Sequence, residues 1–227
     1  MAAQQRDPKQ PLGWLFEGEI ETALGHPAAA AAAYRKAHER SNTSDSAVRL
    51  HTSLVAADAA AAAAFARQHL AAAPGDAHFV THLAQVAAAQ GRLAEAEARY
   101  RQALKLQPDH VVALNNLAEL LNARRDREAL ALAKHAAKVA PHLAAVLDTL
   151  ATAHAVAGES KQAAEVQMRA VELRPREPLL RLNLARYLIA QGDKKKAAME
   201  LRWVAQAISP TSPLRREVDA LLRQADG

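Results

Sequence analysis

Cysteine is absent from the 227 residues, which rules out disulfides, thiolate metal ligands and a thiol nucleophile and leaves the compartment open. Aromatic residues make up only 4%, so the core cannot be built from stacked rings and must be thin, with helices in close contact. Glycine (8) and proline (10) are few and evenly spread, as regular helices with short turns require. No stretch approaches the ~18 uninterrupted apolar residues of a membrane span. The opening segment MAAQQRDPKQ has no apolar run of the kind a leader needs. No G-x-S-x-G elbow, phosphate-cradling glycine loop or H-E-x-x-H pair occurs, so the expectation is a non-enzyme with no catalytic residues, no cofactor and no metal.

Charge of one sign is also scarce. The net +5 reads as a solvated basic surface. Arg99, Arg101 and Lys105 interleave with Glu95 and Glu97, and Arg124, Arg125 and Arg127 adjoin Glu128. Lys194, Lys195 and Lys196 open another helix. Without aromatic rings beside them, these clusters predict ion pairs and no nucleic-acid partner.

What the chain has is alanine, the strongest helix former, within a 50% apolar composition, and it has a repeat. Residues 77–110 and 144–177 align at Leu83 with Leu150, Ala84 with Ala151, Gly91 with Gly158, Ala96 with Ala163, Ala103 with Ala170 and Pro108 with Pro175. Small residues fall where two helices cross, glycine where a first helix must turn, and proline where a second helix stops. Both the pattern and its 34-residue period resemble the tetratricopeptide repeat (TPR). That resemblance implies an all-α fold, a right-handed superhelical α-solenoid whose concave groove holds a partner.

About six helix pairs are expected, over 11–42, 43–76, 77–110, 111–143, 144–177 and 178–210, after a disordered segment 1–10. A capping helix and tail, 211–227, would close the stack, with Ser212 as its cap and Pro213 at its first position. The second repeat departs most: Ala57 replaces the turn glycine, and His69 stands where a small residue is usual. The fourth is one residue short at its Ala123–Asp126 turn, and Pro210 of the sixth sits one place late.

From about residue 66 to 222 a narrower resemblance runs through ALNNLAELL (113–121), LDTLATAHA (147–155), QMRAVELRP (167–175), LRLNLARYLIAQGDKKKAAMEL (180–201) and EVDALL (217–222). This succession is similar to the C-terminal repeats of exosortase-associated (PEP-CTERM system) TPR proteins, although Glu119 stands where that family usually has an aromatic. It implies a bacterial, lipid-anchored periplasmic array linked to exopolysaccharide production and protein sorting.

The TPR resemblance also places residues. The groove-facing offsets of each first helix give His78, His82, Gln85, Asn115, Asn116, Glu119, Asp148, Thr149, Thr152, Asn183 and Arg186. Leu182, Leu179, Ala88 and Ala89 would supply an apolar floor. Asparagine amides offer both donor and acceptor to an extended peptide backbone, so Asn116, Asn183 and Arg186 are the leading contacts. The basic clamp of chaperone-binding TPR domains is not expected, because Thr81, Gln85, Ala145 and Thr149 stand at its positions. His78 and His82 have a metal-capable spacing, but without an acidic partner they read as groove lining.

The expected function is a non-enzymatic scaffold for a protein or peptide segment. Alternatives are an accessory of exopolysaccharide production and exosortase sorting, a regulatory arm of an enzyme assembly, and self-association. A cytoplasmic location is expected if the chain is complete, and a periplasmic or membrane-anchored one if it belongs to a longer lipoprotein.

Overall fold

The computed structural model describes residues 11–226. The expected segment 1–10 lies outside the described residues. Thirteen α-helices and no strands make up the described chain: α1 (Pro11–Ala23), α2 (Pro27–Ser41), α3 (Ser44–Ala57), α4 (Ala59–Ala72), α5 (Ala77–Ala89), α6 (Leu93–Leu106), α7 (Val111–Ala123), α8 (Glu128–Val139), α9 (Ala144–Val156), α10 (Ser160–Leu173), α11 (Pro178–Gln191), α12 (Lys194–Ala207) and α13 (Arg215–Asp226). They form six antiparallel pairs and one closing helix, and fall into two compact units, Met1–Pro108 and Asp109–Gly227. No helix among the described residues is long and apolar enough to cross a membrane.

The first unit packs α1 on α2, α2 on α3, α3 on α4 and α5 on α6, with α3 beside α5. In the second, each helix from α7 to α13 packs on the next, and the first helices of successive pairs also touch: α7 with α9, α9 with α11, and α11 with α13. This neighbouring of first helices is what gathers their outward side chains onto one face.

Alanine permits the close crossings. Ala30, Ala37, Ala84, Ala96, Ala103, Ala118, Ala151, Ala163, Ala170, Ala185 and Ala197 are all fully buried. At Gly18 the demand is stricter, because a Cβ there would meet the Tyr34 ring at 2.4–2.7 Å.

The turns inside the pairs share one device. Gly91 (φ +75°) sends its N–H to Ala88 O, and Arg92 sends its own to Ala87 O, which closes α5 in the manner of a left-handed cap. Gly25, Gly158 and Gly192 also take positive φ. The short fourth repeat makes the same turn without glycine. Arg125 adopts φ +57°, and the N–H groups of Arg125 and Asp126 reach Asn122 O and Leu121 O. The second repeat uses another solution. Asp58, in extended backbone, ends α3 and caps α4 at once, its carboxylate accepting from the N–H groups of Ala60 and Ala61. No left-handed residue is needed there, which is why Ala57 can replace glycine.

The closing helix starts later than expected. Ser212 Oγ accepts from Leu214 N–H at 3.3 Å, but the residues from Ser212 to Leu214 form a turn, and regular helix begins at Arg215. Arg215 still bonds Ser212 O, so the turn leads directly into the helix. Val218 is buried, with Leu214, Leu221 and Leu222 packed against the same core.

Candidate functional site

In the second unit, side chains from the first helices of successive pairs, α7, α9 and α11, and from α10 and the closing helix α13 form a polar ladder. On α7, Asn115 Nδ2 donates to Glu119 Oε1 at 2.8 Å. Thr149 of α9 donates to the same oxygen at 3.0 Å, linking the two helices. Asp148 Oδ1 accepts from Asn183 Nδ2 of α11 at 2.8 Å and from Gln167 Nε2 of α10 at 2.7 Å. Arg186 donates to Asn183 Oδ1 at 2.6 Å and reaches Glu217 of α13 through Nε and Nη2 at 2.8 and 2.6 Å. The Thr152 hydroxyl meets Tyr187 Oη at 3.0 Å. Burial, together with the Asp148 charge, pushes the Tyr187 phenol up.

Two carboxylates stand out in this ladder. Glu119 is held by an amide and a hydroxyl, and Asp148 by two amides. Among the described residues neither lies in an ion pair. Both line a cleft of about 320 Å³ with Asn122, Ala123, Thr149 and Thr152. Asn122 is 6% exposed, and its Nδ2 donates to Thr149 O at 3.3 Å, which fixes the amide orientation and leaves Oδ1 without a partner. The cleft thus has largely apolar walls bordered by two carboxylates, with the Asn122 oxygen buried behind them.

The other sequence-selected residues fall in several places. Asn116 is half-buried beside Asn115, whose Nδ2 approaches its Oδ1 at 3.5 Å. Leu182 is fully buried and lies in the core beneath the face, so it gives no floor to a ligand. Leu179 is 51% exposed. Thr149 is nearly closed off, its hydroxyl spent on Glu119 and on Ala145 O.

In the first unit Gln85 is exposed, and His78 is exposed with Asp45 at 3.6 Å. His82 turns inward instead, 8% exposed, and its Nε2 meets His51 Nδ1 at 2.9 Å. One ring must donate and the other accept, so the contact cannot survive protonation of both rings. Burial pushes the His82 pKa down to about 4, with the His51 and His78 charges adding to it. Burial, then Arg99, pushes His51 to about 4 as well. The helical spacing of His78 and His82 therefore does not bring them onto one ligand: one ring faces solvent and the other faces the core.

Sequence offsets missed four contributors. Gln167 is fully buried and also donates to Leu180 O at 3.0 Å. It occupies the position that Tyr34 and Tyr100 hold in the first and third repeats. A polar residue at an aromatic seam position was the available signal. Asn122, Tyr187 and Glu217 carry no comparable mark, since their partners lie on neighbouring helix pairs.

One tetratricopeptide-repeat family model matches residues 78–120 and another matches 149–213. No curated protein matches. Among solved structures, a chain of the APC/C hetero-tetramer Cut9-Hcn1 aligns with 98% of this chain at 15% identity and a TM-score of 0.75. This chain spans only 44% of that one's length. PilF of Pseudomonas aeruginosa aligns over 95% of this chain and 99% of its own at 18% identity and a TM-score of 0.73. A double mutant of MamA RS-1 aligns over 72% and 93% at 19% identity and a TM-score of 0.64. These likenesses establish the fold, and nothing in them bears on the narrower exosortase-associated resemblance. The chain is an all-α array of helix pairs that carries tetratricopeptide repeats.

Proposed function

We propose that the chain is a non-enzymatic protein-binding scaffold, and that the face formed by α7, α9, α11 and α13 holds an extended peptide segment carrying a basic side chain. The observation behind this reading is the pair of carboxylates, Glu119 and Asp148, fixed by neutral donors at the border of one cleft. A carboxylate tied only to amides and hydroxyls keeps its charge available for a cation, and bonds to a charged group are the stronger class. Arginine fits better than lysine, because its planar fork offers five donors to acceptors spread over two helices. Asn183, bonded to Asp148, and Arg186, bonded to Asn183, continue the ladder beyond the cleft, and with Asn116 on α7 they would position the peptide backbone.

Selection of a displayed random 12-residue library on the full chain tests this. Enriched peptides should share one basic position, and Glu119→Gln with Asp148→Asn should abolish that preference while circular dichroism stays unchanged. Asn116→Ala with Asn183→Ala should weaken every selected peptide about tenfold, as loss of hydrogen bonds at a buried contact does. Peptides that bind with no basic preference, or that ignore both double variants, would remove this face as the site.

A further inference from the structure

The seam between the second and third helix pairs is open, and the repeat pattern says what is missing from it. Equivalent positions hold Tyr34 in α2 and Tyr100 in α6, and both rings are buried. In α4 the same position is Ala66. The fourth repeat also has a small residue there, Ala133, but α8 and α9 pack together and bury it among Ala118, Leu150 and Ala153. Helix α4 does not close in that way. Its alanines Ala59, Ala62, Ala63 and Ala66 line a cleft of about 330 Å³ whose opposite walls include Val55 of α3 and Leu83 and Val86 of α5. That volume lies at the lower end of the range for binding pockets.

The rim is charged in one sense. Arg67, Arg92 and Arg99 border the cleft against the single carboxylate of Glu95. Arg92 and Arg99 both bind Glu95, so the rim keeps an excess of two positive charges. His51 lines the inner wall and stays neutral near pH 7.

We propose that this cleft receives an aromatic side chain from a partner protein segment whose flanking residues are acidic. The inserted ring takes the place that tyrosine takes in the first and third repeats. It supplies apolar area that alanine cannot, and aromatic anchors in preformed pockets are the usual centres of protein interfaces. The flanking carboxylates meet the guanidiniums of Arg67 and Arg92, which favour planar two-point contacts. The site belongs to α3–α6 and is separate from the face of α7–α13, so the two readings stand or fall apart.

Fluorescence anisotropy with three labelled heptapeptides decides it: Gly-Asp-Glu-Phe-Asp-Glu-Gly, the same peptide with alanine for phenylalanine, and a version with lysine at the four acidic positions. The full-length chain should bind the first saturably and each of the others about tenfold more weakly or worse. Ala66→Tyr, which closes the seam from within, should weaken the first peptide about tenfold without lowering Tm, and should leave peptides selected on the α7–α13 face unaffected. Should that variant fold poorly, exposed Arg67→Glu decides, because it must weaken the acidic peptide and strengthen the lysine one. Three results would overturn the proposal: no saturable binding of the phenylalanine peptide, equal binding of the alanine peptide, or an affinity unmoved by whichever of the two variants is folded.

Discussion

In residues 11–108 the Phe79 ring is surrounded by other rings: His69 at 4.4 Å, His51 at 5.6 Å, His82 at 5.9 Å and Phe65 at 6.1 Å between centroids. In residues 109–226 the positions equivalent to Phe79 hold Ala113, Val146 and Leu180. The core there is leucine and alanine, with Gln167 buried among them. The same helix-pair frame is thus filled in two ways. The first unit uses large rings, several of them titratable, and leaves a seam unfilled at Ala66. The second closes its seams with aliphatics and spends its polar groups on a surface ladder. Stability in the first should therefore depend on pH, and stability in the second on hydrogen bonds.

Acid gives the largest expected contrast between them. His51 and His82 fall from 6.5 to about 4 on folding, so the native first unit binds fewer protons than its unfolded chain. The contribution of the two histidines is complete above pH 6.5, declines as pH falls from there to about 4, and changes no further below. Allowing for solvent relaxation around the rings, the loss is on the order of 3 kcal/mol for the pair. Asp76 adds to the sensitivity at lower pH. Burial works to raise its carboxyl, but bonds from His69, the Phe79 N–H and Ser44 hold it below the usual range, and that stabilisation is lost as the carboxyl protonates. Each unit has one tryptophan, Trp14 and Trp203, so urea melts of single-tryptophan variants read them separately. At pH 5 the Trp14 midpoint should drop well below that of Trp203. His51→Gln with His82→Gln should flatten the Trp14 profile, and an unchanged profile would mean the imidazole pair is not what titrates.

Gly18→Ala is expected to come next. A methyl at 2.4–2.7 Å from the Tyr34 ring forces α1 and α2 apart, a cost of about 2–3 kcal/mol from overpacking. The loss should appear in the Trp14 transition and leave that of Trp203 in place. Gln167→Ala makes the converse test. It removes a buried donor and strands Leu180 O and part of Asp148, at about 2 kcal/mol, and should move only the Trp203 transition. Equal shifts of both transitions in either variant would mean that the two units unfold as one.

Much of this frame was legible in the sequence, because it depends on residues that must be small, bent or apolar wherever they occur. Ala96, Ala103 and Gly91 have the same task in any helix pair, so period alone finds them. The side chains of the candidate face are different. Offset places His82 and Asn116 alike on a first helix, yet His82 turns into the core because His51, 31 residues earlier, meets it there. Leu182, expected at the floor, lies in the core, since a leucine at a groove edge and one beneath it share the same helical phase. Partnership across neighbouring pairs is a property of two repeats taken together, and a single repeat's pattern does not contain it.

The smallest expected effect lies in the fourth repeat, where the turn has lost its glycine. Arg125 holds φ +57° and makes the same two backbone bonds that the glycine turn makes at Gly91 and Arg92. The hydrogen bonding is thus intact, and the cost is steric: a Cβ in the left-handed region is unfavourable by ~1–2 kcal/mol. Replacing Arg125 with glycine removes that strain but returns conformational entropy to the unfolded chain, a penalty of ~0.5–1 kcal/mol. The net gain should be about 0.5 kcal/mol, seen as a slight rise of the Trp203 midpoint with the Trp14 transition unmoved. Arg125→Ala separates the two contributions, because it keeps the Cβ and loses the charge. If alanine stabilises as much as glycine does, the strain lies in the crowded cations Arg124, Arg125 and Arg127, and the backbone of the short turn is relaxed.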